Sequence, residues 1–260
     1  YLGAVFNLSR LGPEEIWLLK QFACLPTVYH SHNLLRELIV DEEYPYGVSI
    51  SETLFLLARK GWLLVNEGVD SYKMHVVIKE VVKREQPVRV EDVGSLINSI
   101  NQRLCLRGVE DNPIDKFVWV PFGKALLSTF GGNVYFPSEK IYNSLAMVLK
   151  EYGAYHEANE LLNKSVQFCE KYFGEQHSIT AIRYSNIGLV LKDLGLYADA
   201  KRYLGKALLI HERSLGESHP TTIITLSNLT TVLIELGELG DAKVLLEKAV
   251  SLAEKELGEG

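Results

Sequence analysis

The sequence predicts a mostly α-helical protein: a small domain of helices with one β-hairpin, then a helical connector, then an α–α superhelical solenoid. Three observations predict it. Residues 138–260 repeat with a period of 42: Gly153, Gly195 and Gly237 are so spaced, as are Gly174, Gly216 and Gly258, and Ala158, Ala200 and Ala242. A fixed period of that length marks stacked helical units. Upstream, apolar residues recur at three- and four-residue spacing between helix start and stop signals. Two short β-like runs, Trp62–Val65 and Ser71–Met74, flank a Gly-containing loop, as in a hairpin. The parts divide as 1–86, 87–137 and 138–260.

Composition bounds the function classes. The 260 residues are 47% hydrophobic and 23% charged, ordinary for a soluble domain. No run approaches the roughly 18 apolar residues of a membrane-spanning helix, and no segment has the order of a signal peptide. The chain starts with Tyr1, which reads as a piece of a longer protein. Cys24, Cys105 and Cys169 are far apart and odd in number, with no CxxC or metal spacing. Reduced thiols in a cytoplasmic protein are expected. Net charge is −6. The first part carries 9 basic and 11 acidic groups, the connector 5 and 5, and the repeats 13 and 17. None has the basic excess that phosphate backbones require.

Within residues 1–86, a helix is expected near Tyr1–Leu8. A second follows Gly12-Pro13, with Glu14 and Glu15 in its first turn, where the helix dipole favours acids. Pro26 stops it. His32–Val40 reads as a third helix. Ser49 or Ser51 can cap a fourth, with Leu54, Phe55, Leu57 and Ala58 as its apolar face and Gly61 as its stop. The hairpin comes next, then a closing helix with Val77, Ile78, Val81 and Val82 inside. Helices, hairpin and closing helix together make a winged-helix domain. Its candidate recognition helix, Ser51–Lys60, has an apolar middle and only Arg59 and Lys60 at its end, which argues against nucleic acid.

Residues 72–82, YKMHVVIKEVV, and the preceding LARKGWLLVNEGVDSYKMH resemble the end of the winged helix in NB-ARC ATPases of the STAND class. LSRLGPEEIWLLKQFACLP resembles the start of that domain. The family's Met-His-Asp motif corresponds to Met74-His75-Val76, with Val76 in place of the aspartate. The resemblance implies that His75 approaches the phosphate of bound ADP and helps hold the ATPase closed. An imidazole N–H can donate to a phosphate oxygen. Read on its own, His75 could equally cap a helix start. No P-loop is present: Gly123-Lys124-Ala125 lacks the first glycine and the hydroxyl residue. The segment is therefore expected to be no enzyme and to bind no cofactor itself, with ADP or ATP held by an upstream nucleotide-binding domain.

In the connector, Val93, Leu96, Ile97, Ile100 and Leu104 form a helical stripe. A second helix should start at Asp111-Asn112-Pro113, be kinked or split by Pro121, and end at Gly131-Gly132-Asn133. It reads as a degenerate helical pair or a worn first repeat.

Each repeat contains two helices. The first helices are expected at 138–152, 179–194 and 221–236, the second at 155–173, 197–215 and 239–257. Glycines turn the chain between them. Small residues recur where helices cross, at Ala146 and Gly188 and at Ala158, Ala200 and Ala242, with leucines filling the gaps. The pattern is similar to the tetratricopeptide repeat (TPR), and its length, SNIG and SNLT runs and LGESHPTT resemble the kinesin-light-chain type. That resemblance implies a concave face lined by the first helices, which takes a protein or peptide ligand. Its outward residues include Asn143, Ser144 and Lys150, then Asn186 and Lys192, then Asn228. Asn186 and Asn228 match the asparagine that meets an extended peptide's backbone in such repeats. The bland alternatives are solvated side chains or ties to a neighbouring helix. His177 and His219 share one repeat position and read as helix-start structure rather than metal ligands.

The expected function is the sensor segment of a STAND signalling NTPase, in signalling or innate defence. The TPR array would bind a trigger, and the winged helix would regulate an intramolecular nucleotide-binding domain. The alternatives are a TPR scaffold or cargo adaptor, and a winged-helix DNA-binding regulator with a TPR sensor.

Overall fold

The computed structural model describes residues 6–39, 49–106, 111–133 and 136–258. They form two compact units. Most of the helix expected at Tyr1–Leu8 lies outside the described residues. At its end Leu8–Arg10 makes one 3-10 turn.

The first unit spans residues 1–105 and 118–138. Helix α1 (Pro13–Cys24) starts with Pro13 in its first turn, and the Gly12 N–H donates to Glu15 Oε2 at 2.9 Å. Glu15 is buried and also takes the Lys60 ammonium at 2.7 Å, so one carboxylate caps α1 and ties it to a distant lysine. Leu25 ends the helix ahead of Pro26, whose ring restricts the residue before it. After β1 (His30–Ser31), Ser31 caps α2 (His32–Leu38). Ser49 caps α3 (Ile50–Arg59), its Oγ accepting from Glu52 N at 3.2 Å. Strands β2 (Leu64–Asn66) and β3 (Ser71–Lys73) pair antiparallel, with Val65 opposite Tyr72. A strand not foreseen from sequence joins them: β1 pairs with β3, giving the order β1–β3–β2. Two residues carry no alternation to read.

Helix α4 (Val76–Glu85) buries Ile78, Val81 and Val82. Lys79 on the same face is also buried, and its Nζ donates to Leu25 O at 2.7 Å. The cation sits at the carboxyl end of α1, where the helix dipole favours it. Burial lowers its pKa. Helix α5 (Gly94–Leu104) fits the expected stripe, with Leu96, Ile97, Ile100 and Leu104 buried. The next stretch, expected as a helix kinked or split by Pro121, is split in two: α6 (Pro113–Phe117) and α7 (Val120–Phe130). Pro121 occupies the first turn of α7, where its missing N–H costs nothing. Both α5 and α7 pack with the first domain. Ser99 Oγ donates to Glu37 O, and the Phe122 ring lies 5.4 Å from that of His30.

The second unit spans residues 106–117 and 139–260. Here α8 (Ser138–Glu151), α9 (Tyr155–Tyr172), α10 (Ser178–Asp193), α11 (Tyr197–Leu215), α12 (Pro220–Glu235) and α13 (Leu239–Gly258) alternate as first and second helices. Gly153, Gly195 and Gly237 turn the chain within each repeat at φ 75°, 76° and 76°, a left-handed conformation that costs a residue with a Cβ about 1 kcal/mol. A Cβ on Gly188 would come within 2.6 Å of Leu204 Cγ, so glycine lets α10 and α11 cross closely.

The loops between repeats follow the pattern Gly-Glu-x-His-x-x-Thr. His177 Nδ1 accepts from Ile179 N at 3.1 Å, and His219 Nδ1 from Thr221 N at 3.2 Å. Thr180 Oγ1 donates to Gly174 O and Thr222 Oγ1 to Gly216 O, at 2.7 and 2.8 Å. Glu175 and Glu217 accept from Lys206 and Lys248 in the following second helix. Each loop is thus fixed by three side chains repeated at the same 42-residue spacing.

The two inter-repeat junctions differ in their buried polar groups. At the first, Arg183 and Glu139 pair at 3.0 Å, both buried, beside Cys169, whose thiol burial pushes up to about 11. At the second, the position of Cys169 is taken by His211, 1% exposed. Its Nδ1 lies 3.1 Å from Thr225 Oγ1, which itself donates to Thr221 O at 2.7 Å. The hydroxyl must therefore accept from Nδ1–H, and Nε2 is buried without a partner.

Candidate protein-binding surface

The first helices carry one face of the array, built from positions that the helical period leaves outside the core. On α10 these are Ile182, Asn186, Leu189 and Lys192, and on α12 Ile224, Asn228, Thr231 and Ile234. The opposite faces, with Tyr184, Ile187 and Leu191, then Leu226, Leu229 and Leu233, are buried. Burying each such leucine contributes about 1.5–3 kcal/mol and fixes the rotation of its helix.

The six residues expected on this surface behave differently. Ser144 is 8% exposed and offers little surface. Asn143 and Asn186 are half-buried and bonded to each other, with Asn186 Nδ2 donating to Asn143 Oδ1 at 2.7 Å. The tie joins α8 to α10 and leaves Asn186 one N–H and its carbonyl. Asn228, one repeat on, is half-buried and has no hydrogen-bond partner among the described residues. Lys150 reaches Glu151 at 3.1 Å and Asp193 at 3.3 Å. Burial works to lower its pKa, but these two carboxylates outweigh it and raise it. Lys192 lies 3.7 Å from Asp193. Ile182 and Ile224 are exposed one turn before Asn186 and Asn228, and Ile234 is exposed further along α12. The face therefore combines amide groups with unused hydrogen-bonding capacity and apolar side chains in contact with water.

His75 lies in the first unit, at the start of α4. Its Nδ1 accepts from Val77 N at 3.2 Å, the same cap that His177 and His219 make. The ring is exposed. An accepting Nδ1 places the proton on Nε2, so the ring presents an N–H outward. Beside it, Val76, Val77, Glu80, Val81 and Arg84 line a cavity of about 600 Å³.

One constellation escaped the sequence reading. His32 Nε2 lies 2.8 Å from Ser51 Oγ, and His32 Nδ1 lies 3.4 Å from Asp70 Oδ2. Asp70 is largely exposed, and the longer distance is beyond a good hydrogen bond. The three residues fasten α2, α3 and the hairpin together rather than forming a sheltered nucleophile. The left-handed backbone of Asp70, φ 39°, is the kind of position that aspartate tolerates.

Comparison with known proteins agrees with the repeat geometry. The tetratricopeptide repeat family matches residues 138–208 and 183–255. Residues 138–255 thus carry tetratricopeptide repeats. No curated protein matches the chain. Among solved structures, the fold is similar to the nearly identical TPR-like repeats of a putative kinesin light chain from Podosopora anserina. That match has a TM-score of 0.51 and 17% identity, covering 86% of this chain and 96% of that one. It is also similar to BtubC (BKLC) from P. vanneervenii, with a TM-score of 0.52 and 16% identity, covering 86% and 89%. A STAND protein with a tetratricopeptide repeat sensor, PH0952 from Pyrococcus horikoshii, aligns with a TM-score of 0.34 and 15% identity over 96% of this chain and 45% of that one. That value is too low to carry an argument. Among the described residues, no helix is long and apolar enough to cross a membrane.

Proposed function

We propose that the repeat array is a protein-interaction module that grips an extended peptide segment of a partner along its first helices. The observation that carries this reading is the pair Asn186 and Asn228 on successive first helices, each with amide capacity left and each one turn after an exposed isoleucine, Ile182 and Ile224. An amide both donates and accepts, so it can pair with a peptide unit, while apolar neighbours take alternate side chains. Lys150 is neutralised by Asp193 and Glu151, so its contribution is to the wall of the surface rather than to capture of an acidic ligand. Selection of peptides from a random library on the whole chain tests the reading. Selected peptides should lose about tenfold or more in affinity for Asn186→Ala/Asn228→Ala. Undiminished binding to that variant would count against it.

A second, finer reading is supported by the first unit. Its helices, hairpin and closing helix follow one another in winged-helix order, and Met74-His75 opens the closing helix. We infer that this unit regulates an intramolecular nucleotide-binding domain of the NB-ARC type, with the outward Nε2–H of His75 donating to a phosphate of ADP. Partner binding to the repeats would then shift the equilibrium only if the partner prefers the open arrangement. ADP retention by the longer protein, compared with His75→Ala, tests this. Equal retention would remove the sensor role and leave His75 as a helix cap.

A further inference from the structure

Between α3 and the hairpin lies a groove of about 510 Å³, lined by Phe55, Arg59, Val65, Glu67, Asp70 and Tyr72. Val65 and Tyr72 sit opposite each other on β2 and β3. Phe55 is 59% exposed, with the Arg59 guanidinium 5.7 Å from its ring centroid. Leu56 and Val69 on the same two elements are exposed as well, Val69 to 64%. Phe55, Val65 and Tyr72 line one groove from two adjoining elements, and apolar side chains gathered in an exposed groove mark an interaction site. The His32 N–H donates to Asp70 O at 3.0 Å and His32 Nε2 lies 2.8 Å from Ser51 Oγ, so α2 links the hairpin to the first turn of α3.

The charges around it are lopsided. Glu52, Glu67 and Asp70 are exposed on α3 and the hairpin, with Asp70 also facing His32 at 3.4 Å and taking the Tyr72 hydroxyl, so that Glu67 is the more available acid in the groove. The neighbouring cations are otherwise engaged: Lys60 is held by Glu15 at 2.7 Å, and Lys73 lies over the Tyr29 ring at 5.6 Å. Arg59 alone lines the groove, and it lies against Phe55. In a winged helix this surface is the one offered to DNA, yet here a phosphate backbone would meet carboxylates and bare apolar side chains.

We propose that this groove docks a protein segment that carries large apolar side chains beside lysine or arginine. The apolar side chains would displace water from Phe55, Val65 and Tyr72, and the cation would meet Glu67 and Asp70. The site is independent of what the repeats bind.

The test uses the whole chain and a labelled amphipathic peptide of leucine and lysine, with its leucine–glutamate counterpart and a random DNA duplex as competitors. The expected result is saturable binding of the leucine–lysine peptide and none of the other two. Affinity should fall about tenfold or more in Phe55→Ser/Val65→Ser, and less, with a flattened salt dependence, in Glu67→Gln/Asp70→Asn. All four positions are on the surface, and asparagine accepts the backbone of Asp70, so circular dichroism should show folded variants. Absence of binding, binding that ignores both variants, preference for the glutamate peptide, or capture of the duplex would each overturn the proposal.

Discussion

At the scale of single residues, histidine does two unlike jobs in this chain. His75, His177 and His219 each accept a backbone N–H at a helix start, so they cap as serine or aspartate would. Replacing His177 by alanine should cost about 1 kcal/mol, read as a lower denaturant midpoint at unchanged slope. His211 is buried, with one nitrogen bonded and the other bare. Burial lowers its pKa below 6.5, and the nearby charge of His219 adds to that. Glu212, next to it in the chain, is engaged by Lys248 at 2.9 Å. The unfolded chain therefore takes up a proton before the folded one does. Stability from this site is complete above about pH 6.5 and declines as pH falls toward the lower folded value. The melting temperature should drop between pH 7.5 and 5.5 more in the wild type than in His211→Cys, which installs the residue of the preceding repeat. Equal drops would assign the acid sensitivity elsewhere.

At the scale of elements, the array is held by close helix crossings and by a buried polar lock, Arg183 with Glu139. Gly188→Val would drive a side chain into Leu204, which is fully buried and cannot yield at Cγ. A loss of about 1–3 kcal/mol is expected, measurable by urea unfolding; a neutral result would mean that α10 and α11 can move apart without cost. Glu139→Ala would leave the Arg183 guanidinium buried without its carboxylate, at about 3–5 kcal/mol. These elements were legible in the sequence to different depths. The repeat helices, their turns and their small crossing residues could be read because a left-handed glycine or a crossing alanine recurs wherever the geometry does. The two-residue β1 could not, because so short a strand has no pattern and is defined by its partner β3. The break between α6 and α7 was legible as a kink or a split but not as which of the two, since Pro121 signals a disturbance and fits equally well in a first turn.

At the scale of the whole molecule, two units carry two different kinds of surface. The repeats present amide groups and isoleucines on their first helices. The first unit presents an apolar groove with acidic walls and, separately, the outward N–H of His75. The sequence period correctly put Asn186 and Asn228 at equivalent positions. It could not reveal that Asn186 spends one donor on Asn143, a residue 43 positions away, or that Ser144 at the matching place in the first repeat is buried. Such facts depend on how neighbouring helices meet. The groove beside α3 was hidden for the same reason, because Phe55 reads as a core residue by spacing and is turned outward by the packing of Leu54 and Leu57.

The central claim is that peptide binding runs through the asparagines of the first helices. The most direct measurement follows the side-chain amide resonances of Asn186 and Asn228 by NMR while a library-selected peptide is titrated into the whole chain. Both amides should shift along a common saturation curve, with the backbone signals of α10 and α12 moving and those of α11 and α13 changing little. Unmoved asparagine amides, with shifts gathered on α11 and α13, would contradict it.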